Sequence, residues 1–179
     1  YKRQALTDDA VGMSRKDFKI EIKVDKEHRT LTVSDNGIGM TKDELDKNLG
    51  TIAHSDSFEF KAAQAEAAAE SEPGEAKGLD DLTDVDIIGQ FGVGFYSAFM
   101  VGKKVRVVSR AIGSDEAWAW ESDGVEGYTI EEAQREGHGT DVILTLKDNT
   151  DDDNYDTFLS EFGLRNLIKR YSNYVRYPI

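Results

Sequence analysis

Three short glycine-containing segments carry residue types from which a nucleotide site could be built. The first, Asp35-Asn36-Gly37-Ile38-Gly39-Met40, sets a carboxylate directly after a strand-like block and follows it with two glycines. A carboxylate accepts hydrogen bonds, and glycine lets a flat ligand lie close to the backbone. Asn-Gly is equally a tight-turn pair, so the segment by itself reads either way. The second, Gly89-Gln90-Phe91-Gly92-Val93-Gly94-Phe95, opens an apolar stretch of helix length. Glycines ahead of a helix can turn successive N–H groups toward a phosphate; close helix packing is the other reading. Its Gly-x-x-Gly-x-Gly order reverses the dinucleotide fingerprint, and no Gly-Lys-Ser/Thr follows, so it is not a P-loop. The third, Gly137-His138-Gly139-Thr140, precedes a strand and in isolation is a glycine turn.

Other chemistry is thinly represented. There is no cysteine, which removes disulfides, thiolate nucleophiles and zinc–thiolate sites. His28, His54 and His138 have no metal-ligand spacing, and each reads as a surface or turn residue. The acidic stretch 148–156 lacks the central Gly and twelfth-position Glu of a calcium loop, and reads as solvated. No metal site is expected. The chain has 35 acidic against 22 basic residues, a net charge of -13. Nucleic-acid binding needs clustered Lys and Arg, so no nucleic-acid partner is expected. A phosphate would have to be held by backbone N–H groups, a helix N-terminus or a bridging metal.

The elements that must position these segments follow from periodicity. The 179 residues, 39% hydrophobic and 32% charged, predict one soluble domain. No apolar run nears the ~18 residues of a membrane span, so no membrane partner is expected. The absence of cysteine and of an apolar leader fits a cytoplasmic protein. Phe18 to Val24 alternates apolar and charged residues, Asp25-Lys26-Glu27-His28 is a turn, and Leu31-Thr32-Val33 begins a second strand; 18–34 reads as a hairpin. Thr41-Lys42-Asp43-Glu44 is a capping box opening a helix that carries Leu45 and Leu49 and ends at Gly50. Phe91 to Val101 reads as a helix. Strands are expected at Val105–Ser109, Ala117–Glu121, Gly127–Ile130 and Asp141–Leu146, and a helix from Tyr155 to Tyr174 with apolar Phe158, Leu159, Phe162, Leu164, Leu167, Ile168 and Tyr171. The fold class is therefore α+β, a mixed, mostly antiparallel sheet with helices on one face. Residues 58–86, Ala-rich and then acidic, read as a solvated insertion or a lid.

Taken jointly, Asp-x-Gly-x-Gly, an insertion, Gly-x-x-Gly-x-Gly on a helix and Gly-Thr before a strand resemble the ATP-binding fold of gyrase, histidine kinases and MutL-type repair ATPases, a two-layer sandwich. Asn48-Leu49-Gly50-Thr51-Ile52-Ala53, the run from Ile88 to Phe99 and Trp120-Glu121-Ser122 look like the 90-kDa heat-shock protein chaperones of bacterial type. The similarity runs from about Leu6 to Ile179. It implies that Asp35 takes the adenine amino group, supported by Thr140. Gly39 and Met40 would line the base pocket, and Asn48 would lie near the sugar. Gly92, Val93, Gly94 and Phe95 would wrap the phosphates of ATP or ADP, and a lid would span about Gly50 to Gly94. For the whole protein the resemblance implies ATP hydrolysis, magnesium, a homodimer, client proteins and a role in the stress response.

The chain departs from that pattern in three places. The family's water-activating Glu and magnesium-holding Asn sit on a helix with no match between Tyr1 and Ser34. Both ends read as cut, so the chain is expected to be a piece of a longer protein with no catalytic base or metal anchor of its own. His54-Ser55-Asp56 stands where Lys-Ser-Gly is usual, and the lid carries extra Ala-rich and acidic residues. The expected function is an ATP-binding module of a chaperone. A histidine kinase, a repair ATPase, or an interaction module without nucleotide are the alternatives. Few large apolar residues in 58–86 predict cheap local opening. Limited proteolysis is expected to cut first there, and a first cut within Val105–Leu146 would contradict the lid assignment.

Overall fold

The computed structural model describes residues 17–53, 93–172, 175 and 177–179. The Ala-rich and acidic insertion, most of the expected lid and Gly92 lie outside the described residues. The hairpin forms as the alternation requires: β1 is Ile20–Asp25 and β2 is Thr30–Asp35. The strands that follow are β3, Gly102–Arg110, β4, Ala117–Ser122, β5, Thr129–Ala133, and β6, Gly139–Leu146. They join in one six-stranded sheet of order β1-β2-β6-β3-β4-β5. Every described pairing is antiparallel, which refines the expected mixed sheet.

Directly paired residues of antiparallel strands project from the same face, so register defines rows across the sheet. One row is Ile22, Val33, Val142, Val107, Trp120 and Ile130. The next is Val24, Leu31, Leu144, Val105 and Ser122. Trp120, Val105 and Leu146 are fully buried and Val107 nearly so, so this face is the core. The helices cover it: Leu45, Leu49, Leu159, Phe95, Phe99 and Leu164 all pack there. The other face carries buried Val108, Ala117 and Ala119 beside ion pairs, with Lys104 2.8 Å and Arg106 3.2 Å from Glu121, and Arg106 2.8 Å from Glu131. The two-layer arrangement with helices on one face is as expected.

Helix α1, Lys42–Ala53, starts on the predicted capping box. The Thr41 N–H donates to the Glu44 carboxylate at 2.8 Å, and the Glu44 N–H to the Thr41 hydroxyl at 3.4 Å. The helix does not stop at Gly50 but runs a further turn. Gly50 serves packing instead, since a Cβ there would sit 2.6 Å from the Tyr128 hydroxyl. The stretch to Val101 is not one helix: a 3-10 turn, Val93–Tyr96, leads into the short α2, Ser97–Val101. β5 starts later than expected because Gly127, at φ +99, belongs to the preceding turn, its carbonyl accepting from the Ser122 hydroxyl at 2.5 Å. The C-terminal helix is also split. A 3-10 turn, Tyr155–Leu159, ends at Ser160, whose hydroxyl accepts from the Gly163 N–H and caps α3, Glu161–Tyr171. Phe162 and Tyr171, expected on its apolar face, are exposed.

Helix α1 is tied to the sheet by polar contacts as well as by leucines. The Tyr128 hydroxyl donates to Asp46 at 2.6 Å, its ring stacks on Trp120 at 5.9 Å, and the Lys42 ammonium lies 4.6 Å above the Trp118 ring. The Asp46 hydrogen bond, with burial adding, raises the Tyr128 phenol above its ordinary range. A raised phenol favours the neutral folded form, so its stabilisation is full below the unfolded value near ~10 and fades as pH rises through the folded one. Tyr128→Phe is expected to cost about 1 kcal/mol in urea unfolding at pH 7. The difference between the two proteins should shrink above the phenol's ordinary range; a difference that grows there would contradict the assignment.

Candidate functional site

The row at one end of the core face differs from the apolar ones. It reads Ile20, Asp35, Thr140, Ser109, Trp118 and Glu132, so a carboxylate and two hydroxyls stand side by side on three neighbouring strands. Asp35 ends β2 and Thr140 lies second in β6; both are half-buried. Asp35 Oδ1 accepts from the Gly37 N–H at 2.7 Å, which folds the chain into a side-chain-capped turn. Its Oδ2 has no hydrogen-bond partner among the described residues.

The turn after Asp35 is held against two other segments. Gly39, at φ +68, is pressed on the Arg110 carbonyl so closely that a Cβ would overlap that oxygen. The Ile112 N–H donates to the Ile38 carbonyl at 2.7 Å. The Met40 N–H donates to Ser109 Oγ at 2.8 Å, and the Met40 side chain is buried. Asn48, exposed on α1, brings its amide 4.0 Å from the Met40 sulfur. Asp35, Gly39, Met40, Asn48 and Thr140 are thus gathered at the same end of the core face.

The expected phosphate segment is described only from Val93 onward. Val93 and Gly94 lie in the 3-10 turn, and Phe95 follows with its ring half-buried, edge-on to Trp120 at 5.8 Å and to Phe99 at 6.2 Å. That ring anchors the turn to the core. Among the described residues no group of three or more His, Asp or Glu side chains could hold a metal ion.

Three residues at this end of the sheet were not singled out as site residues from the sequence, and only Ser109, polar in step with Val105 and Val107, offered a signal that could have found it. Ser109 is fully buried. Arg135 reaches behind the strand ends, donating to the Asp35 carbonyl at 2.7 Å, to the His138 carbonyl at 2.6 Å and, through two nitrogens, to the Asp141 carboxylate at 3.0 and 3.1 Å. Bidentate Arg–carboxylate pairing fixes orientation as well as charge. The His138 ring, read as a surface or turn residue, is in a turn but half-buried, with Nδ1 2.6 Å from the Gly37 carbonyl; that bond requires the Nδ1–H form. A cleft opens on the other face of the sheet beside Lys19, Glu21, Lys23, Arg135 and Asp141. Asp35 and His138 also border it, but Glu21, Ser34 and Asp141 form a row on the face opposite Asp35, Thr140 and Ser109, so the cleft opens away from the hydroxyls.

This fold and site define a class of nucleotide-binding ATPase domain. The profile of histidine kinase-, DNA gyrase B- and HSP90-like ATPases matches residues 14–140, and the chain belongs to that family. More narrowly, the chain is 53% identical over 176 residues to the chaperone protein HtpG of Clostridium acetobutylicum, covering 98% of this chain and 26% of that protein. It is 52% identical over 177 residues to the HtpG of Bacillus subtilis and 48% identical over 176 residues to that of Natranaerobius thermophilus, with the same coverage. The bacterial-type heat-shock resemblance and the ATP-binding-domain assignment are borne out, and the chain spans about a quarter of the length of these curated relatives. No described helix is long and apolar enough to cross a membrane.

Gly139 and Gly113 separate crowding from backbone strain. Both have positive φ, +121 and +76, but a Cβ on Gly139 would overlap the Asp35 carbonyl oxygen, whereas one on Gly113 meets nothing within 4 Å. Gly113→Ala should cost about 1–2 kcal/mol from strain alone. Gly139→Ala should cost about 3 kcal/mol or more and displace Asp35. Chemical denaturation of the two variants checks this, and equal losses would contradict the close approach.

Proposed function

We propose that the chain binds ATP and ADP with the adenine at the polar end of the core face, its amino group donating to Asp35 Oδ2 and Thr140 beside it. The observation that carries this is the Asp35–Thr140 pair in one row, with one Asp35 oxygen already occupied by Gly37 and the other not. Gly39 and Met40 form the floor under the base and Asn48 stands toward the sugar. Backbone N–H groups of Gly92, Val93, Gly94 and Phe95 take the phosphates, a mode suited to a chain of net charge -13. The segment from about Gly50 to Gly94 closes over the nucleotide as a lid.

In the longer protein, this binding would drive lid closure and rearrangement of a homodimer acting on client proteins in the cytoplasm, with magnesium neutralising the phosphates. The matches to HtpG chaperones support that reading over a histidine kinase or repair ATPase. No match to the family's water-activating Glu stands between Tyr1 and Ser34, so we propose binding without turnover for these 179 residues. A positioned base contributes typically ~10²–10⁴-fold. Phosphate release at background is the expected result; release that disappears in Asp35→Ala would show a base within this chain.

Selectivity tests the site itself. Guanine presents a carbonyl where adenine has its amino group, so two acceptors would face each other. Sites built on such a hydrogen bond discriminate by roughly 10⁴-fold. Calorimetry should show ADP bound and GDP not. Asp35→Asn should weaken ADP by about 1.5–3 kcal/mol through loss of the charge-assisted bond. Equal affinity for ADP and GDP would sink the reading.

A further inference from the structure

Ser109 is a polar residue in the interior of the sheet, with no exposed surface, preceded along its strand by Val107 and Val108. Its hydroxyl meets three partners. It accepts from the Met40 N–H at 2.8 Å, lies 3.1 Å from the Gly139 carbonyl, and lies 2.8 Å from the Thr140 hydroxyl. A serine hydroxyl has one proton and two acceptor sites. The Met40 N–H takes one acceptor site. The Gly139 carbonyl can only accept, so it needs the single Ser109 proton. The remaining acceptor site on Ser109 is then filled by the Thr140 hydroxyl proton. This arrangement satisfies all three contacts. Reversing the Ser109–Thr140 bond would turn the single Ser109 proton away from the Gly139 carbonyl and lose that hydrogen bond, worth about 0.5–1.5 kcal/mol.

We propose that Ser109 is a specificity-determining positioning residue: it consumes the Thr140 proton, so that Thr140 faces the pocket as an acceptor only. The idea rests on the nucleotide reading above. Asp35 Oδ2 and Thr140 Oγ1 then form a pair of acceptors on adjacent strands, suited to an exocyclic amino group with two hydrogens. A six-position carbonyl, as in inosine or guanine nucleotides, meets two acceptors in place of one. Through Met40 the same hydroxyl also fixes the floor of the pocket, so polarity and position are set by one atom.

The experiment compares ADP with inosine diphosphate, which carries a carbonyl in place of the amino group. Affinities for both are measured by calorimetry in the unaltered chain, Ser109→Ala, Ser109→Thr, Thr140→Val and the Ser109→Ala/Thr140→Val double variant, with thermal unfolding of each. In Ser109→Ala the Thr140 hydroxyl is free to rotate and donate to the carbonyl, so preference for ADP should fall by about tenfold, which is 1.4 kcal/mol. Ser109→Thr retains the hydroxyl and should retain the preference, whatever it loses in melting temperature. In the Thr140→Val background, Ser109→Ala should change the ratio no further. A purely structural serine would lower stability and both affinities together with the ratio intact, and that result overturns the proposal. So does a ratio change in Ser109→Ala that persists in full with Thr140→Val. Absence of ADP binding by the unaltered chain would instead overturn the nucleotide reading itself, and this assignment with it.

Discussion

Antiparallel register is the constraint on which the site depends. Because paired residues share a face, the alignment that sets Val33, Val142 and Val107 in the core also sets Asp35, Thr140 and Ser109 in the next row along. A slip of one residue between β2 and β6 would send Asp35 to the outer face and break the apolar row at the same time. Core packing therefore enforces the polar geometry. Burial of Trp120, Val105 and Val107 holds the strands in the only alignment that brings the carboxylate and two hydroxyls together.

What happens beyond the strand ends is set by close backbone approach. Gly39 against Arg110 and Gly139 against Asp35 leave no room for a Cβ, so the two loops interlock with the β3 end. Arg135 closes the arrangement from behind. Its guanidinium gathers the Asp35 and His138 carbonyls and is itself oriented by Asp141. Its side chain is only 10% exposed, where charge-assisted hydrogen bonds are poorly screened by solvent. This end of the sheet is held by polar contacts on one side and by apolar packing on the other. Helix α1 joins the two, with leucines in the core and Asn48 beside Met40.

Much of this was legible in the sequence because its signals are local. Period-two alternation marked β1, Thr41 and Glu44 marked the start of α1, and Asp35 and Thr140 were named from their motifs. Boundaries failed where a tertiary contact outranked a local rule. Gly50 looked like a helix stop, but it is a contact point for Tyr128, and the helix runs past it. Ser160 interrupts what reads as one apolar helix because its hydroxyl caps a new one. Ser109, Arg135 and His138 escaped for a different reason: their partners lie up to 101 residues away in sequence. Ser109 alone left a trace, as a polar residue in step with Val105 and Val107 on the buried face of β3.

The central claim is that the nucleotide base is read on the core face at the Asp35–Thr140–Ser109 row. Titration of the isotopically labelled chain with ADP, followed through assigned backbone amide resonances, tests it most directly. The account predicts that the largest shifts fall on Asp35 to Met40, Ser109 to Ala111 and Gly139 to Thr140, three segments that only the fold makes neighbours. Shifts centred instead on Lys19, Glu21 and Lys23, in the cleft on the opposite face, would contradict it.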